Sequence, residues 1–97
     1  MKHFVIFKFE DGYMNDEVID HAKVTFNSLK EALPEDIFDV KIHKNIVERL
    51  FNGDLMVEMD VKNEDSLRTY LVHPIHVALT DVWGPHIQSR LSFDYEN

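Results

Sequence analysis

The sequence predicts one α+β domain in which helical segments interrupt four strands in the order β-α-β-β-α-β. Segments of alternating apolar and polar residues stand at both ends and twice in the middle of the 97-residue chain, and such alternation is typical of strands. Two segments with apolar residues at helical spacing lie between these strands. The length suits one hydrophobic core and is too short for two, so residues 1–97 are expected to form a single domain.

The chain should begin with one strand and one helix. Both faces of the segment from His3 to Phe9 carry apolar residues, which predicts a central strand. Asn15 can cap the following helix, because its side chain can accept a hydrogen bond from a free backbone N–H. Pro34 ends that helix. Its apolar face consists of Val18, Ala22, Phe26, Leu29 and Leu33.

Three further strands follow in the rest of the chain. Phe38, Val40 and Ile42 alternate with polar residues in a second strand, and a loop over residues 45–53 leads to a third strand at residues 55–61. These two strands should pair antiparallel. Asn63 can cap a helix that runs to about residue 72, and Pro74 begins another. The helix after Asn63 should turn three residues inward, namely Leu67, Tyr70 and Leu71, and the last strand alternates through Leu91, Phe93 and Tyr95.

This element order is the ferredoxin-like arrangement, in which a four-stranded antiparallel sheet carries its helices on one face. The other face needs a cover. A second copy related by a two-fold axis would bury the same face in both molecules. We therefore expect a homodimer that forms an α/β barrel.

Composition excludes several kinds of partner. The net charge is −8 and the isoelectric point is near 5.0, whereas nucleic acids and anionic membranes require clustered lysine and arginine. No nucleic-acid or membrane partner is expected. The chain has no cysteine, which excludes disulfides and thiolate metal sites and suits a reducing compartment. A cytoplasmic location is therefore expected.

The segment from Tyr70 to Val77 is the place where chemistry is plausible. Proline disfavours the helical conformation in the residue before it, so His73 should lie at a helix boundary and Pro74 in the first turn of a new helix. His76 then lies inside that helix. On a helical wheel it stands beside Trp83, at the edge of an apolar stripe, where an imidazole would line a pocket.

Three segments carry a resemblance to a known family: KHFVIFKF at residues 2–9, YLVHPIHV at residues 70–77 and SRLSFDYE at residues 89–96. With these motifs, the whole chain resembles the stress-responsive dimeric α/β barrel (Dabb) family. The resemblance implies a homodimer of ferredoxin-like protomers and a stress-related role. In a plant polyketide cyclase of that family a histidine and a tyrosine catalyse the reaction without a cofactor. The matching positions here are His76 for the catalytic histidine, Tyr70 for the tyrosine and His3 for a further pocket histidine.

Residue chemistry suits these positions. A histidine whose pKa is near about 6.5 can accept a proton at neutral pH, and a tyrosine hydroxyl can hydrogen-bond a carbonyl oxygen as charge develops on it. We expect a pocket between helices and sheet that binds an unknown small molecule. Its predicted ligand-binding residues are His3, Val5, Phe7, Phe26, Leu79 and Trp83.

Three functions remain open. The protein is a small-molecule-binding homodimer, or a cofactor-free cyclase or aldol-type lyase with His76 as general base and Tyr70 as oxyanion partner. The third possibility is a structural oligomer, in which Tyr70 bonds His76 and merely fixes the helix junction. We assign no metal site, because His73 at a helix boundary and His76 do not share one helical face, and no cofactor is expected. His21, His43 and His86 are expected at the surface without a role.

Overall fold

The computed structural model describes residues 1–97. Its elements are β1 (Lys2–Phe9), α1 (Asp16–Ala32), β2 (Ile37–Lys44), β3 (Leu55–Val61), α2 (Glu64–Leu71), α3 (Pro74–Trp83), a 3₁₀ turn (Gly84–His86) and β4 (Ile87–Tyr95). The strands form one antiparallel sheet in the order β2-β3-β1-β4. The predicted ferredoxin-like fold and its element order are thereby confirmed.

The helices begin where the sequence predicts. The side chains of Asn15 and Asn63 accept hydrogen bonds from the first turns of α1 and α2, at 3.1 and 2.9 Å. His73 is extended, with φ −64° and ψ 138°, because Pro74 follows it, and its Nδ1 accepts from the Ile75 N–H at 3.1 Å. His73 is therefore a capping residue of α3, as its boundary position predicts.

The two faces of the sheet differ in burial. On β1, the side chains of His3, Val5, Phe7 and Phe9 lie under the helices and belong to a closely packed interior. The opposite face carries apolar side chains that nothing covers in one protomer. On β4 these are Leu91, Phe93 and Tyr95, which are 68, 65 and 45% exposed.

One predicted inward position, that of Leu71, is wrong, and a bulge shifts the burial pattern of β2. A β-bulge between Ile37 and Asp39 interrupts the pairing of β2 with β3, so Ile37 fills the core and Phe38 is 52% exposed. Leu71 is 41% exposed because α2 ends at this residue and turns it outward. Tyr70 takes the inward position that Leu71 was expected to share.

The loop between β2 and β3 folds back against β1. The Asp54 N–H donates to the Phe7 carbonyl at 2.8 Å, and the Lys8 ammonium donates to the Leu50 carbonyl at 2.6 Å. Gly53 allows this approach, since a Cβ at this position would lie 2.3 Å from a methyl carbon of Ile6. None of the helices combines the length and the apolar character that crossing a membrane requires.

Candidate functional site

Three side chains from three elements meet beneath the helix layer. Tyr70 of α2 lies 4.7 Å from His76 of α3 and 5.7 Å from His3 of β1, measured between ring centroids. In one continuous helix, residues 70 and 76 would point in widely different directions, at about 100° per residue. The break before Pro74 changes the helix direction and brings the two rings together. The predicted pair and the predicted pocket histidine are therefore neighbours.

The orientation of His76 is set by the end of α2. Its Nδ1 lies 2.9 Å from the carbonyl oxygen of Leu71, and a carbonyl only accepts, so this nitrogen carries the proton. Nε2 is then the unprotonated nitrogen. Burial lowers the pKa of His76; the Leu71 hydrogen bond opposes that shift, and the positive charges of Arg90 and His3 add to it. His76 is neutral at pH 7 and has a basic nitrogen available.

The Tyr70 side chain is 1% exposed, yet its hydroxyl makes no hydrogen bond within the protomer. The only completely buried side-chain nitrogen or oxygen without a partner is Nε1 of Trp83. The Tyr70 oxygen and the His76 Nε2 therefore both keep some contact with solvent. Burial raises the pKa of the Tyr70 phenol, with a lowering contribution from Arg90 and a raising one from Asp94. Tyr70 is thus a neutral hydrogen-bond donor at physiological pH.

His3 is held from the opposite side by an acidic residue. Its Nδ1 lies 2.5 Å from Oδ1 of Asp94, which stands directly across from it on β4. Arg90 occupies the same face of β4, opposite Phe7. We did not single out Asp94 or Arg90 from the sequence. Alternation in the last strand places both on one face, but the partner of that face depends on the strand register.

All of the predicted apolar lining residues belong to one buried core. Phe26 lies 6.2 Å from Tyr70 and 6.4 Å from His76 between ring centroids, and it belongs with Val5, Phe7 and Leu79 to the buried core. Trp83 packs against Phe7 and Phe9, each at 5.3 Å, and against His21 at 6.0 Å.

On the helical wheel Trp83 stands beside His76, and both side chains are buried on α3. Their offset of seven positions corresponds to about 10 Å along the helix axis, at about 1.5 Å per residue. They share a stripe of α3 but lie at different ends of it.

The larger recesses of the protomer lie elsewhere. The main one, of about 520 Å³, is formed on the open side by β1, β2, β3, β4 and the β2–β3 loop. None of the four main cavities is lined by His3, Tyr70 or His76.

The other histidines are engaged at the surface. His43 contacts Glu58 at 3.1 Å, and His86 contacts Glu10 at 2.5 Å and stacks on Tyr13. No group of three or more histidine, aspartate or glutamate side chains comes together with the geometry of a metal site.

Comparison with known proteins agrees with this architecture. The model of the stress responsive A/B barrel domain matches residues 1–97. Olivetolic acid cyclase of Cannabis sativa is 26% identical over 97 residues, covering 98% of this chain and 94% of that protein. An uncharacterized protein of Streptomyces coelicolor is 33% identical over 84 residues, or 86% of each chain.

A solved structure shows the same fold at moderate identity. It is a dimeric protein of unknown function with a ferredoxin-like fold from Bacteroides fragilis, 28% identical, with a TM-score of 0.69 over 99% of this chain and 94% of that one. The whole-length family match, the motif around His76 and the sheet topology agree. This chain belongs to the stress-responsive A/B barrel domain family.

Proposed function

We propose that the protein is a homodimer that binds a small organic molecule at the cluster of His3, Tyr70 and His76. The observation that carries this proposal is the pair of free polar atoms at the cluster. The Tyr70 hydroxyl and the His76 Nε2 belong to buried side chains, have no partner in the protomer and keep solvent contact. Water can satisfy both atoms in the free protein, and a ligand that supplies an acceptor and a donor can take its place.

Dimer formation is the second part of the proposal. The open sheet face carries Leu91, Phe93 and Tyr95, all exposed in one protomer. Burial of apolar surface contributes about 25 cal/mol per Å², so a second copy on this face would stabilise the fold. The similar Bacteroides fragilis protein is dimeric, which supports the same arrangement here.

A specific observation also favours the cofactor-free cyclase or aldol-type lyase. The Leu71 carbonyl holds His76 in the tautomer whose Nε2 is basic. The ring centroid of Tyr70 lies 4.7 Å from that of His76. The base would take a proton from the carbon beside a substrate carbonyl, while Tyr70 donates a hydrogen bond to that carbonyl oxygen. The resulting enolate would attack a second carbonyl carbon, and the proton would return from His76 to the new alkoxide. The resemblance to olivetolic acid cyclase supports this chemistry.

Ligand binding is tested by thermal unfolding in the presence of aromatic acids, linear 1,3-diketones and divalent metal ions. A ligand at 100 times its Kd stabilises the native state by about 2.7 kcal/mol. We expect an organic probe to raise the melting temperature of the wild type and of His43→Ala, a matched surface variant. The shift should be lost in His76→Ala and in Tyr70→Phe. An equal shift in all four proteins would contradict a site at His76, and no shift with any probe would favour the structural oligomer.

Proton abstraction is tested separately with acetophenone in D₂O. We expect the wild type to catalyse deuterium exchange at the methyl group, and His76→Ala to lose that catalysis. General-base catalysis contributes about 10²- to 10⁴-fold, so the difference should be easily measured by NMR. Exchange at the same rate in both proteins would exclude His76 as the base.

A further inference from the structure

The side of β4 that faces the helix layer is a polar strip beside the candidate site. Antiparallel partners stand on the same face of a sheet, and Arg90, Ser92 and Asp94 are opposite Phe7, Val5 and His3. All three β4 residues are exposed although their β1 partners are buried. β4 packs mainly against β1, and no helix packs extensively on it. The strip is therefore a solvent-exposed part of the sheet face on which the buried rings lie.

Arg90 is the cation of this polar strip, and no side chain of the protomer pairs with it. Its guanidinium makes no ion pair or hydrogen bond in the protomer, whereas Arg68 pairs with two carboxylates and Asp94 is engaged with His3. The positive charge of Arg90 is close enough to lower the pKa of both Tyr70 and His76. An unpaired guanidinium thus lies on the same sheet face as His3, two same-face positions further along the β1–β4 pairing.

We infer that Arg90 anchors the carboxylate of the ligand, and that the site takes an organic acid whose body lies against Tyr70 and His76. This inference rests on the proposed function, because it assigns the ligand class of the same site. A planar guanidinium matches a carboxylate with two parallel hydrogen bonds. In a protein of net charge −8 the overall field repels anions, so an anionic ligand requires such a local cation.

The test uses 2-hydroxybenzoate and its neutral analogue 2-hydroxybenzamide, titrated against the full-length protein by calorimetry. The proteins are the wild type, Arg90→Gln, Arg90→Lys and the matched control Arg49→Gln, in which another exposed arginine without an ion pair is changed in the β2–β3 loop. We expect the acid to bind the wild type and Arg49→Gln on the order of tenfold more tightly than the amide. Arg90→Gln should remove that preference, and Arg90→Lys should restore part of it, because the charge remains and the paired donors do not.

The neutral amide separates this inference from the proposed function. If acid and amide bind the wild type equally, or if Arg90→Gln leaves the preference for the acid unchanged, the role of Arg90 is overturned while the binding site stands. If neither probe binds the wild type, both the site and the anchor are overturned, since the amide does not depend on Arg90.

Discussion

Replacing Tyr70 by phenylalanine distinguishes a binding site from a structural contact. The hydroxyl makes no hydrogen bond in the protomer and keeps solvent contact, so its removal should change the free energy of unfolding by less than about 0.5 kcal/mol. A structural role with the hydroxyl bonded to His76 would require a loss of about 1 to 3 kcal/mol, because His76 would be left unpaired. Urea denaturation followed by circular dichroism measures this difference.

Ser66 offers a matched positive control for this experiment. It is 2% exposed, and its hydroxyl donates to the Asp36 carboxylate at 2.6 Å. Hydrogen bonds to charged groups contribute about 1.5 to 3 kcal/mol, so Ser66→Ala should destabilise the protein by that amount. If Tyr70→Phe costs as much as Ser66→Ala, the hydroxyl has a structural partner and the reasoning that assigns it to a ligand is refuted.

Three further predictions concern the pKa of His76, the backbone at Gly53 and the exposed face of the sheet. Burial lowers the pKa of His76, so folding favours the neutral imidazole. The resulting contribution to stability is fully present above about pH 6.5, the pKa in the unfolded chain. It is lost as the pH falls toward the lower pKa of the folded state. Urea titrations between pH 5 and 8 should show that the free energy of unfolding of the wild type falls by up to about 1.4 kcal/mol per pH unit on acidification. His76→Ala should lack this loss. An identical pH dependence in the two proteins would contradict the assignment. Gly53→Ala would place a Cβ 2.3 Å from a side-chain carbon of β1 and should lower the free energy of unfolding by about 1 to 3 kcal/mol. Gly84→Ala, whose Cβ would have nothing within 4 Å, should be tolerated. Equal melting temperatures for the two variants would refute the close approach at Gly53. Leu91→Asp should convert the proposed dimer to a monomer in sedimentation experiments. Val24→Asp, at a residue of nearly equal exposure (67 against 68% for Leu91), should not. A dimer in both variants would place the interface elsewhere.

The elements of the fold could be predicted because their signals are local. Alternation, the caps at Asn15 and Asn63 and the break at Pro74 each depend on residues within a few positions of one another. The same local logic places Tyr70 and His76 on either side of a helix junction, and the family resemblance adds His3. The apolar stripe of α3 was also visible, because helical spacing is a local signal, and His76, Leu79 and Trp83 are its buried residues.

The sequence by itself therefore determined the order of the elements, the helix boundaries and the identity of the central pair. Tertiary structure alone decided that Asp94 holds His3 across 91 residues of chain, and that Arg90 lies on the same sheet face as His3. It also decided that Ile37 rather than Phe38 fills the core at a bulge. These outcomes depend on strand register, since a shift of one residue turns every side chain of a strand to the other face. Register is set by backbone pairing and packing between distant segments, which no local pattern of residues contains.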